Sequence, residues 1–116
     1  MSNLTIYHNP RCSKSRQTLA LIEDAGASVE TVLYLDDPIS KATLKQLLKK
    51  LGLTPRELMR KGEAVYKELG LKDDSLSDAA LMDAMLTNPK LIERPIVVKG
   101  DQAVLGRPPE NVQALL

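Results

Sequence analysis

The chain has 116 residues, 43% hydrophobic and 27% charged, which fits one globular domain and excludes a disordered tail. Sixteen Lys and Arg against fifteen Asp and Glu leave a formal charge of +1, which excludes nucleic-acid binding by bulk charge. Three tyrosines without Phe or Trp exclude a base-stacking platform, and no run approaches the ~20 apolar residues of a membrane span.

Leu4-Thr5-Ile6-Tyr7-His8 alternates apolar and polar and then meets Asn9-Pro10, a strand ending in a loop. From Ser13 the period becomes helical, with Leu19 and Ile22 or Leu21 and Ala25 on one face and Gly26 as the stop. Val29 to Leu35 is β-branched and leucine-rich, a second strand, so the first ~35 residues form a βαβ unit with parallel strands.

Leu44, Leu47, Leu48 and Leu51 fall at helical spacing between Ser40 and Gly52. Thr54-Pro55-Arg56-Glu57 combines a capping box with proline at the first helical position. Ser77 caps a third middle helix, with Leu81, Ala84 and Met85 on one face and Asn88-Pro89 at its end. Ile96-Val97-Val98, a turn over residues 99–102 and Ala103-Val104-Leu105 predict a hairpin, and Pro108-Pro109 opens a short closing helix. The order is βαβ, three helices, ββα. It fits a single α/β domain over residues 1–116 with a thioredoxin-like layout and a helical insertion at about 40–90.

Cys12 is the only cysteine, so no disulfide can close within the chain, and redox chemistry there must finish with a thiol from another molecule. The N-terminus carries no basic segment followed by an apolar run, and a cytoplasmic, unexported protein is expected. Cys12 lies one residue before a helix, among Arg11, Lys14, Arg16 and His8, with no acidic residue before Glu23. Free N–H groups and the positive end of the helix dipole stabilise a thiolate, and nearby cations add to them. The same features form an oxyanion pocket, so one loop offers a nucleophile and a place for an anionic substrate. A lone cysteine is more often a small buried hydrophobe, but the polar flanks here favour a reactive thiol.

His8 is either an edge residue or a group tuning Cys12, and Arg16 is a second tuning candidate. Ser15 sits where a C-x-x-C oxidoreductase has its second cysteine. A hydroxyl there can hydrogen-bond a thiolate but cannot resolve a disulfide. Arg94 and Arg107 bracket the hairpin at one end and can converge, and Arg60 follows the capped helix. Guanidinium forks match a tetrahedral oxyanion bidentately, as lysine cannot.

Residues 5–16 from Thr5 to Arg16, the run Leu91 to Val98 and Gly106-Arg107-Pro108-Pro109 closely resemble the glutaredoxin-linked arsenate reductases, the ArsC family, in a short, chromosomal-type form. The resemblance covers essentially the whole chain. It implies that Cys12 attacks arsenate, that Arg60, Arg94 and Arg107 hold its oxygens, and that Pro95 is the cis-proline of a thioredoxin-like fold. It also implies glutathione and glutaredoxin as external thiol donors, with no bound cofactor or metal, no membrane or nucleic-acid partner, and a monomer. Two other readings share the fold: a general glutathione-dependent thiol oxidoreductase, and an Spx-type regulator binding RNA polymerase. Spx-type proteins commonly carry C-x-x-C and lack Gly106-Arg107-Pro108, while a general oxidoreductase has no need of three converging arginines.

Overall fold

The structure, a computed structural model, describes residues 4–116; the first three residues, part of the N-terminus read above for a targeting segment, lie outside it. Alternation produces strand β1 (Leu4–Tyr7), in which Leu4 and Ile6 are buried and Thr5 and Tyr7 are half-buried. It pairs in parallel with β2 (Val29–Val32) and antiparallel with β3 (Ile96–Lys99), which pairs antiparallel with β4 (Gln102–Leu105). The sheet order is β2-β1-β3-β4, with Ile6 opposite Val97. β2 is shorter than the apolar run Val29–Leu35. Past Val32 the chain turns, and the Asp36 and Asp37 N–H groups both donate to the Leu33 carbonyl.

Helix α1 (Ser13–Asp24) joins β1 to β2, and Gly26 follows it with a φ of 75°. Its buried face is Ser15, Thr18 and Ile22, not the leucine stripe alone. Two of those three are polar, because this face meets the functional loop at one end and the core at the other. Leu4, Ile6, Ile22, Val97, Val112 and Leu115 form the core of this unit. The closing segment Pro109–Leu115 packs on α1 and is a 3₁₀ helix, not the short α-helix expected.

The chain divides into two compact units: the residues up to Asp37 with Arg94–Leu116, and Pro38–Glu93. The second unit holds four α-helices, where three were expected: α2 (Lys41–Leu51), α3 (Pro55–Leu58), α4 (Ala64–Glu68) and α5 (Asp78–Thr87). Ser40 caps α2 through the Thr43 N–H, and Gly52 closes it in the left-handed conformation at φ 70°. The Thr54–Glu57 capping box starts α3, but that helix runs only four residues. It ends because Met59 bridges to Ile92 and the Arg60 N–H donates to the Leu91 carbonyl at 2.6 Å, drawing the backbone into a ladder. A second short helix, α4, then follows. No helix among the described residues is long and apolar enough to cross a membrane.

Candidate active site

The loop after β1 is built from the inside. The His8 N–H donates to the Val32 carbonyl at 2.9 Å, and the His8 and Asn9 side chains are buried. The fully buried Ser15 hydroxyl accepts the Asn9 N–H at 3.0 Å and lies 2.6 Å from His8 Nδ1. Burial first, and the Arg16 charge second, hold the His8 pKa below its ordinary value, so the ring is neutral at neutral pH. The neutral ring and the Ser15 hydroxyl share a single hydrogen bond at Nδ1. The hydroxyl oxygen is thus engaged by His8 and Asn9, and His8 adds no full charge beside the thiol.

Asn9 completes the turn, its Oδ1 accepting the Arg11 N–H and its carbonyl accepting the Cys12 N–H, both at 3.0 Å. Arg16 Nη1 donates to the Pro10 carbonyl at 2.8 Å, so its guanidinium braces the loop. Cys12 is the residue that caps α1, extended at φ −92° and ψ 122°, with its carbonyl accepting the Arg16 N–H at 3.0 Å. The thiol is half-buried and makes no short capping bond to the helix.

Two arginines meet that sulfur. Arg107 Nη1 lies 3.8 Å from Cys12 Sγ and donates to the Arg94 carbonyl at 3.2 Å. The Arg94 guanidinium also acts on the thiol, favouring its charged form, while its buried Nε makes no hydrogen bond among the described residues. Burial acts to raise the Cys12 pKa. It is outweighed by the Ser15 N–H, the Arg94 guanidinium and the Lys14 N–H, which together leave the thiol below its ordinary value. The rate of Cys12 alkylation against pH should therefore rise with a midpoint below the ~8.5 of a free thiol. A midpoint at or above that value would contradict this electrostatic account.

Both arginines precede cis peptide bonds, Arg94–Pro95 and Arg107–Pro108. Between them Gly106 donates its N–H to the Pro95 carbonyl at 2.9 Å. A Cβ on Gly106 would lie 2.7 Å from Pro95 Cγ and would collide with the Thr18 hydroxyl. Gly106→Ala should cost about 1–3 kcal/mol of stability, read from the urea midpoint, because both neighbours are fixed. An unchanged midpoint would mean the loop shifts freely.

Arg60 belongs to the other unit. Its Nε lies 3.9 Å from Glu63 Oε2 and its Nη1 3.5 Å from Glu93 Oε1, so two carboxylates hold its side chain. Glu63 and Glu93 beside Arg60 carry no signal in the sequence, and Thr18, whose hydroxyl lies against the Lys14 and Gly106 carbonyls, looks like any helical threonine.

Comparison with known proteins adds a lineage to this geometry. The ArsC family pattern matches residues 7–115. The uncharacterised protein YfgD of Escherichia coli K12 is 60% identical over 108 residues, which is 92% of this chain and 91% of that protein. An arsenate reductase of Neisseria meningitidis serogroup A is 47% identical over 117 residues, covering both chains completely. Among solved structures, arsenate reductase from Vibrio cholerae superposes with a TM-score of 0.94 at 54% identity over 97% of each chain.

Proposed function

The chain belongs to the ArsC family, and from that premise we propose that it reduces arsenate to arsenite, with the Cys12 thiolate as nucleophile. The observation that carries this reading is the meeting of Arg107 Nη1, the Arg94 guanidinium and the α1 N–H groups at a single sulfur. A thiol so placed ionises more readily than a free one, and the arginine donors beside it suit the oxygens of a tetrahedral anion. Arg60 is proposed as a third substrate ligand on the strength of family resemblance.

In the proposed reaction, Cys12 Sγ attacks arsenic, an S–As bond forms and one arsenate oxygen leaves as water. The arginines offset the negative charge on the remaining oxygens as it crowds toward the incoming sulfur. Glutathione then bonds arsenic through its own sulfur, displacing a second oxygen as water. A glutaredoxin thiolate attacks the glutathione sulfur, the As–S bond breaks and its electron pair stays on arsenic. Arsenic falls from the +5 to the +3 state while glutaredoxin and glutathione leave as a mixed disulfide. Water then releases arsenite and restores Cys12. With one cysteine in the chain, both reducing thiols must come from outside. Reducing thiols of that kind are cytoplasmic, and the enzyme is proposed to work there.

NADPH oxidation coupled through glutathione reductase, with glutathione and glutaredoxin present, tests the proposal. Adding the protein should produce arsenate-dependent oxidation that stops when glutathione is omitted. Oxidation indifferent to the protein would remove arsenate reduction as its function.

A further inference from the structure

The loop that carries Arg107 is gripped from two sides by side chains that touch no reacting atom. On the inner side, the Thr18 hydroxyl on α1 is fully buried. It donates to the Lys14 carbonyl at 2.8 Å and reaches the Gly106 carbonyl at 3.3 Å. On the outer side, Asn111 Nδ2 donates to the Leu105 carbonyl at 3.1 Å and to the Arg107 carbonyl at 3.2 Å. The Asn111 N–H also donates to the Pro108 carbonyl at 3.0 Å. Asn111 thus holds the carbonyls of Leu105 and Arg107, and the Thr18 hydroxyl, its proton shared with Lys14, lies against the Gly106 carbonyl between them.

Thr18 links the two halves of the site. The Lys14 residue whose carbonyl it holds also supplies one of the N–H groups acting on the sulfur, and the Gly106 it reaches is the neighbour of Arg107. The glycine is what lets them meet, since a Cβ there would strike the Thr18 hydroxyl. A single buried oxygen therefore fixes the distance between the α1 turn that holds the nucleophile and the backbone that aims the guanidinium. An arginine side chain has many rotamers, and holding its backbone on both sides reduces the arrangements that miss the sulfur.

We propose that Thr18 and Asn111 are positioning residues that hold Arg107 over the Cys12 sulfur. The assignment deepens the proposed function and rests on its reading of Arg107 as a group facing the substrate. It is tested by a ratio that needs no arsenate. Iodoacetate and iodoacetamide alkylate the same thiolate, so the fraction ionised cancels when their rate constants are divided. What remains is the attraction of the anionic reagent to the cations at the sulfur.

Arg107→Gln sets the value of that ratio without the charge. Thr18→Val, which keeps the shape and removes the hydroxyl, should lower the ratio by about threefold, toward the Arg107→Gln value. Thr18→Ser, which keeps the hydroxyl, should stay within about twofold of the wild type. Asn111→Ala lies at an exposed position and supplies a readout even where Thr18→Val fails to fold; it too should lower the ratio. A wild-type ratio in folded Thr18→Val or in Asn111→Ala would overturn the role of that residue. Both reagents slowing equally, with the ratio intact, would also overturn it, since that marks a general packing effect. A wild-type protein that does not reduce arsenate would defeat the proposed function and leave this ratio readable.

Discussion

Cys12→Ser lowers arsenate turnover by about a thousandfold or more and leaves the fold in place. The loss follows from nucleophilicity: a serine hydroxyl at this position stays protonated, and the groups that lower the thiol pKa cannot ionise an alcohol. The fold survives because Sγ makes no short capping bond to α1 and the turn is held by Asn9, Ser15 and Arg16. Circular dichroism and the urea midpoint should match the wild type while coupled NADPH oxidation falls to background. Substantial residual turnover in a folded Cys12→Ser protein would mean that arsenic is attacked by another group.

The second large effect separates substrate binding from thiol tuning. Arg94→Lys, Arg107→Lys and Arg60→Lys each keep a charge and lose the planar fork. Losing one charge-assisted contact should cost about 1.5–3 kcal/mol, or about 10- to 100-fold in kcat/KM for arsenate. Alkylation by neutral iodoacetamide should change far less, because the α1 N–H groups still face the sulfur and a cation remains at each position. Should both rates fall together in Arg107→Lys, the guanidinium tunes the thiol rather than the substrate. Should neither fall, arsenate is not held there. A general thiol oxidoreductase would show the second pattern, exchanging uncharged disulfides with little regard to Arg107. Arg60→Lys has a further consequence, because its side chain also faces Glu63 and Glu93, and a lysine would satisfy them with a different geometry.

The elements that position Cys12 were legible in the sequence because each is set by local rules. Alternation from Leu4 to His8, the Asn9-Pro10 turn and the helical period after Ser13 place the thiol between β1 and α1. The parallel pairing of β1 with β2 and the β3–β4 hairpin follow from connection length and turn chemistry. What could not be read depended on contacts between distant residues. The capping box at Thr54 is strong, yet α3 stops after four residues because Met59 pairs with Ile92. The Ser15 hydroxyl could serve a thiolate or a ring, and only the fold puts His8 Nδ1 2.6 Å away. Thr18 gains its importance from Gly106, 88 positions along the chain. Convergence of Arg94 and Arg107 was readable because the hairpin between them returns the chain to the same end. Arg60, in a separate unit, has no comparable local constraint.

The most direct measurement is the mass of the Cys12 peptide after incubating the protein with arsenate and glutathione, without glutaredoxin. In the proposed mechanism Cys12 bonds arsenic first, glutathione joins the same arsenic, and without glutaredoxin the sequence halts there. The account predicts an adduct on Cys12 containing both arsenic and glutathione, formed only when both reagents are present and weakened in Arg107→Lys. A simple glutathione disulfide on Cys12 that forms equally well without arsenate, or an unmodified Cys12 in protein that turns over arsenate, would contradict it.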